Sequence, residues 1–346
     1  MKAVAALGGA LALVIAAVVA RGMLDDDDGS AAGGDVTVVC PPELEDACGA
    51  LGGDVTVRIE DAAATAASLA GAGDAAEVDA DVWLAPAPWA ELVVDERARA
   101  GLAGLVGDPS EVVARSPVVL VVYADRAVAL EGGACAGGVA WRCLGGAAER
   151  PWSEVGGGGI PGRVKVGLTD PDTSTGLVVL GGATAGYFET ADFAANDFDS
   201  AWSQWLDALG ATAAEAARGN VVNTLLTAGA AQFAAVGALE VDARHVATAG
   251  RDDVRVIYPA PVATADLVAI PIGASSAEAA AEAARDLAAD GDLRAALAQA
   301  GWRVAGEDVA PGVELPDGGV ELPDDDGLPS GGVLGALAAR WDDATG

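Results

Sequence analysis

Residues 164–180 read VKVGLTDPDTSTGLVVL. The stretch opens with alternating apolar residues, passes through a hydroxyl-rich turn and ends in a continuous apolar run. That pattern predicts a strand, a turn holding Thr173, Ser174 and Thr175, and a helix. Such a turn presents unpaired backbone N–H groups to a ligand oxygen. Yet the chain carries a formal net charge of −33, so a turn suited to an anion sits in a strongly negative protein.

The 346 residues suffice for two ordinary domains or one two-lobed unit, and 52% of them are hydrophobic. Asp and Glu number 52 against 19 Lys and Arg, and Lys2 and Lys165 are the only lysines. A phosphate-binding surface needs clustered cations, so nucleic acid is excluded as a partner, and an anionic lipid surface is excluded for the folded part. Acidity of this degree suits high salt, where the Debye length falls to ~3 Å at 1 M and self-repulsion is screened.

Lys2 precedes 18 uncharged residues, Ala3–Ala20, followed by Arg21 and the run Asp25–Asp28. As a helix that run spans ~27 Å, just short of a ~30 Å hydrocarbon core. Residues 1–24 are therefore an export element, a signal peptide or an N-terminal membrane anchor, with 25–34 as a linker. Val18-Val19-Ala20 is a poor cleavage site, which favours the anchor. The four cysteines fit an oxidising compartment. Cys40 and Cys48 are eight apart, as are Cys135 and Cys143. Three connectivities are open, and local pairing is the expected one. It requires that CPPELEDAC not be one straight helix, which would hold the two Cα atoms ~12 Å apart.

Beyond the linker the chain alternates. DVTVVC, DVTVRIE and ADVWLAP read as strands, with small-residue helical stretches after the first two. SPVVLVVYADRAVAL, Ser116–Leu130, reads as one long apolar strand. A second α/β series follows the glycine-rich 156–162: the quoted stretch, FDSAWSQWLDALG, NVVNTLLTAGAA and QFAAVGALE. Asp252–Gly273 holds two strands with a proline-rich break, followed by a long alanine-rich helix and DLRAALAQAGWRV. Residues 306–346 form an acidic Pro/Gly tail without regular structure, closed by a short amphipathic helix ending at Trp341. Alternation at this spacing predicts parallel sheets flanked by helices, with ligands at the carboxyl ends of the strands.

DVTVVC, ADVWLAP, SPVVLVVYADRA, VKVGLTDPDTSTG, QFAAVGALE and VRVIYPAPVATADLVAIPI together resemble the type II periplasmic, or extracellular, solute-binding proteins, in particular the oxyanion-binding and related actinobacterial branch. The resemblance covers about residues 35–305. It implies an α/β fold of two lobes, each a mixed, mostly parallel sheet flanked by helices, joined by two crossing strands. Residues 35–122 and 255–305 would form the first lobe and 123–254 the second, with crossings near Val121–Asp125 and Arg251–Tyr258. On this map each local cysteine pair stays within one lobe and leaves the hinge free. The resemblance also implies a small-molecule ligand in the cleft, an oxyanion among the classes open, and an ABC-type permease as partner. Cys40-Pro41-Pro42 stands where oxyanion binders often offer serines, and proline has no N–H.

Thr173, Ser174 or Thr175 is expected either to cap the helix or to meet the ligand. A dipolar site needs no lysine: a hydrogen bond to a charged acceptor contributes ~1.5–3 kcal/mol, so about four would hold a micromolar ligand. Asp170 and Asp172 would repel an anion if they faced it, which leaves a neutral or zwitterionic ligand open. Pro86 and Trp89 follow a first-lobe strand, where Trp89 is either a ligand wall or core. Glu240 ends a second-lobe strand and, if buried, would take an amine or hydroxyl donor. Asn220 and Asn223 are cleft donors or helix caps, and Trp202 and Trp205 the packed face of a helix. With His245 as the only histidine, a Ser-His arrangement and a histidine-based metal site find no support, and no Walker sequence is present. The expected function is therefore capture of a solute without catalysis or cofactor. The alternative is a cell-surface interaction module that keeps the fold and has lost its ligand.

Overall fold

A computed structural model describes residues 36–53, 55–74, 77–213, 220–248, 251–273, 277–311, 313–316 and 319–345. The expected export segment and linker lie outside the described residues. Among those described, no helix is long and apolar enough to cross a membrane.

The first sheet begins with β1 (Val36–Cys40), which pairs in parallel with β2 (Val55–Ile59) on one side and β3 (Val82–Pro86) on the other. Their β-branched residues favour extended backbone. β3 is buried along its whole length, as a central strand covered on both faces must be. The connections carry α1 (Glu45–Cys48), α2 (Ala62–Gly71) and α3 (Pro88–Ala100). Pro88 falls in the first turn of α3, where a missing N–H goes unnoticed.

β4 (Ala114–Tyr123) belongs to both sheets. Ala114–Pro117 pairs antiparallel with β8 (Thr264–Pro271), which also borders β3. Ala114 and Arg115 also pair with β9 (Arg303–Val304). From Val118 the partners become β6 (Ala235–Leu239) and, from Leu120, β7 (Val254–Ile257). β5 (Val166–Leu168) completes the second sheet in parallel with β6. The change of partner at Pro117–Val118 lies upstream of the crossing expected at Val121–Asp125. The return runs through 258–263, downstream of the expected start at Arg251. The apolar run through β4 is unbroken, so hydrophobicity does not mark the switch.

The run Ser116–Leu130 is not one strand: the chain turns at Tyr123 into α4 (Ala124–Glu131). Its buried residues Ala127 and Leu130 recur at helical spacing. The second lobe adds α5 (Trp141–Ala147), α6 (Gly176–Phe188), α7 (Ser200–Ala213), α8 (Val221–Ala228) and α9 (Glu240–Thr248). Trp141 and Trp202 are fully buried there, and Trp205 Nε1 donates to the Trp141 carbonyl at 3.1 Å. α10 (Ala277–Ala289) and α11 (Gly291–Ala300) return to the first sheet.

Both local disulfides form. Cys40–Cys48 is possible because the segment starts as a 3-10 turn, Pro42–Leu44, before α1, so the Cα atoms lie 6.7 Å apart. Cys135–Cys143 spans 5.3 Å.

The tail is ordered against the body. Arg303 donates to the Val320 carbonyl, Arg115 to those of Pro323 and Asp324, and Thr264 N–H to that of Asp326. Gly327 (φ +63°) sits where a Cβ would lie 2.4 Å from the Val262 carbonyl, so only glycine fits. The terminal helix α12 (Gly331–Thr345) runs past the expected end at Trp341. It packs on α3 of the first lobe and on α7 and α6 of the second, with Leu334, Leu337 and Trp341 buried.

Candidate functional site

The carboxyl ends of strands from both sheets meet around a cavity of about 570 Å³. The first lobe contributes Pro42 and Glu43 from the turn after β1, and Asp61 after β2. The second contributes the turn after β5, with Thr169, Asp170, Asp172, Thr173 and Thr175. Asn220 and Val221 at the start of α8, and Asp242 in α9, close the wall. Strand ends converging on a crevice is the usual geometry of ligand sites in open α/β sheets, and the volume is that of a small-molecule site.

The quoted turn is built as a cap. The Thr173 hydroxyl donates to the Asp170 carbonyl at 2.6 Å and accepts from Gly176 N–H at 3.1 Å. A Cβ on Gly176 would fall 1.8 Å from the Asp170 carbonyl, so glycine alone allows the chain to turn this tightly into α6. Ser174 is buried, its hydroxyl has no hydrogen-bond partner, and its backbone N–H donates to Glu43 Oε1 of the other lobe at 3.1 Å. Thr175 lines the cavity and is 4% exposed.

The other residues singled out in the sequence fall in several places. Pro86 is buried in β3 away from the cavity lining. Trp89 is core, and its indole N–H crosses the lobes to donate to the Ser174 carbonyl at 2.9 Å. Glu240 is buried, but its donors are internal: Arg303 pairs with both carboxylate oxygens and Tyr258 donates at 2.6 Å. This cluster joins the end of β6 to β9 behind the cavity. Asn220 caps α8 by accepting from Asn223 N–H at 3.0 Å, and its side-chain amide donates to Asp242 Oδ1 at 3.2 Å. Asn223 is exposed and lines a smaller adjoining depression that shares Asn220 and Asp242.

Glu43, Asp61 and Asp242 were not singled out as ligand residues. Their signal is positional: the first two follow a strand directly, and Asp242 lies in the first turn after β6. Burial pushes the Asp242 carboxyl up to about 6, the Leu239 backbone opposes this, and the negative Glu43 across the cleft adds to it. No lysine, arginine or histidine is among the described residues lining the cavity.

No family model matches the sequence, and no curated protein matches it. Solved structures do match the coordinates. The periplasmic binding protein AfuA from Actinobacillus pleuropneumoniae, with fructose-6-phosphate bound, superposes with a TM-score of 0.56 at 13% identity, covering 91% of this chain and 99% of that one. A periplasmic thiamin binding protein gives 0.54 at 14% identity, covering 90% and 96%. The chain has the type II periplasmic-binding-protein fold. An ABC transporter structure from Clostridium perfringens matches over 90% of this chain and all of its own, with a TM-score of 0.52 at 12% identity. At these identities the likeness establishes architecture, and the ligand must be argued from the cavity.

Proposed function

We propose that this chain is an exported binding protein that captures a small solute between its lobes and hands it to an ABC-type permease. The cavity itself carries the reading: both lobes wall it, at the carboxyl ends of their strands. The structural neighbours, which are binding proteins, support the same reading, as does the scarcity of catalytic groups in the sequence. In this reading residues 1–24 direct export and tether the chain, and the limits expected at 35–122, 123–254 and 255–305 shift to the partner change in β4 and the 258–263 return.

The lining favours a ligand with positive charge or hydrogen-bond donors over an oxyanion. Glu43 already takes the Ser174 N–H that an anion would need, and Asp170 and Asp172 line the cavity beside it. Calorimetry and thermal shift in high salt against amines, amino acids, sugars and oxyanions test capture. A saturable shift with one class is expected, and silence across the panel would remove the receptor reading.

The second reading, an interaction module without ligand, rests on a specific observation. α12 packs on both lobes, and the tail binds Arg115 and Arg303 near the lobe junction. In that reading the clasp keeps the lobes together for good.

A further inference from the structure

The cavity's chemistry narrows the ligand class. This step rests on the binding-protein reading above. Glu43 and Asp61 stand on one side and Asp170, Asp172 and Asp242 on the other, with no basic residue among the described lining residues. A carboxylate cluster alone is only a solvated surface. Here a second feature accompanies it: Thr175 is 4% exposed and lines the cavity, and no hydrogen bond engages its hydroxyl among the described residues. A nearly buried hydroxyl without a partner forgoes a hydrogen bond that a ligand would restore. Among the described residues no three carboxylates converge closely enough to hold a metal ion. They surround a space of about 570 Å³, the dimension of an organic molecule.

We propose that the cavity receives an organic cation, a solute bearing a protonated amine, held between carboxylates of both lobes with the Thr175 hydroxyl as a further polar contact. The ammonium group supplies several N–H donors and the charge that Glu43 and Asp61 lack across the gap from Asp170 and Asp242. A bridging cation converts repulsion between the lobes into attraction, so binding and closure reinforce one another.

The test is calorimetric titration of the full-length protein with 1,4-diaminobutane, sodium sulfate, glucose and calcium chloride, each at the same ionic strength. The diamine alone is expected to bind saturably. Asp61→Asn and Asp242→Asn should each weaken it by roughly tenfold, the worth of one charge-assisted hydrogen bond, with the circular dichroism spectrum unchanged. Thr175→Val, which keeps shape and removes the hydroxyl, should weaken it less. Binding of sulfate or glucose in place of the diamine overturns the ligand class and leaves the receptor reading standing. Calcium binding that competes with the diamine, or diamine binding indifferent to all three variants, also overturns the class. Failure of every probe to bind takes the receptor reading with it.

Discussion

Glu43 Oε1 accepts a hydrogen bond from the backbone N–H of Ser174 at 3.1 Å, so the first lobe supplies a carboxylate to the helix start of the second. The turn does present an N–H to an anion, and that anion is part of the protein. A strongly negative chain thereby keeps an anion-receptive turn without a cation beside it.

Replacing Glu43 by Ala frees that N–H. Because Glu43 is exposed, the lost contact should change stability by no more than about 1 kcal/mol in urea unfolding. Weak sulfate binding should appear by calorimetry where the native protein shows none. If it does not, repulsion from Asp170 and Asp172 outweighs the freed donor, and the turn is a structural cap only.

The Glu240 cluster should respond far more strongly. Glu240 is 1% exposed and holds Arg303 through both oxygens, with Tyr258 as a third partner. Glu240→Ala leaves a buried guanidinium without its counter-ion and is expected to cost about 3–5 kcal/mol. The paired change Glu240→Leu with Arg303→Met removes both charges and should recover most of the loss. Equal destabilisation by the single and paired variants would show that packing, and not charge pairing, is what Glu240 supplies.

How much of this was readable in the sequence depended on whether the signal was local. The turn at Thr173–Thr175 announces itself through hydroxyls between a strand and a helix, and it does line the cavity. The disulfides follow from spacing, since a bent segment was the one condition for Cys40–Cys48. Trp89 and Glu240 were visible as candidates, but their partners, the Ser174 carbonyl and Arg303, lie 85 and 63 residues away. No periodicity encodes such pairings. Asp61 and Asp242 were hidden for another reason: among 52 carboxylates, only their position after a strand sets them apart. The partner change within β4 was invisible because both of its halves are equally apolar.

Acid should stabilise this protein over a limited range. Burial pushes both Asp242 and Asp326 up to about 6 from 3.8. Glu43 adds to the first shift, and Asp266, Glu91 and Asp325 to the second. Between those values the folded state binds more protons than the unfolded one, so stability rises as pH falls through 6 toward 4. Asp253, held low by Arg251, acts in the opposite sense only at lower pH. Melting temperature should climb from pH about 7 to about 5 and then fall as the remaining carboxylates protonate. Asp326→Asn should flatten the rise. A melting temperature that declines steadily from neutrality would contradict this.

The terminal helix offers the sharpest test of how the lobes are held. α12 lays Leu334, Leu337 and Trp341 between α3 of one lobe and α7 of the other, and Gly331 N–H donates to Glu91 at 3.0 Å at its start. Arg340 adds an exposed pair with Asp207 at 3.3 Å, worth little alone. The apolar contacts therefore dominate, and Trp341→Ala should cost about 3–5 kcal/mol in global unfolding, whereas Arg340→Ala should be nearly silent. If the helix also couples the lobes, Trp341→Ala should enlarge the radius of gyration in small-angle scattering before unfolding begins. It should then shrink again when a cleft ligand is added, because the ligand supplies the closure that the helix no longer does. A destabilised variant with an unchanged radius would make α12 a stabilising cover with no part in holding the lobes together.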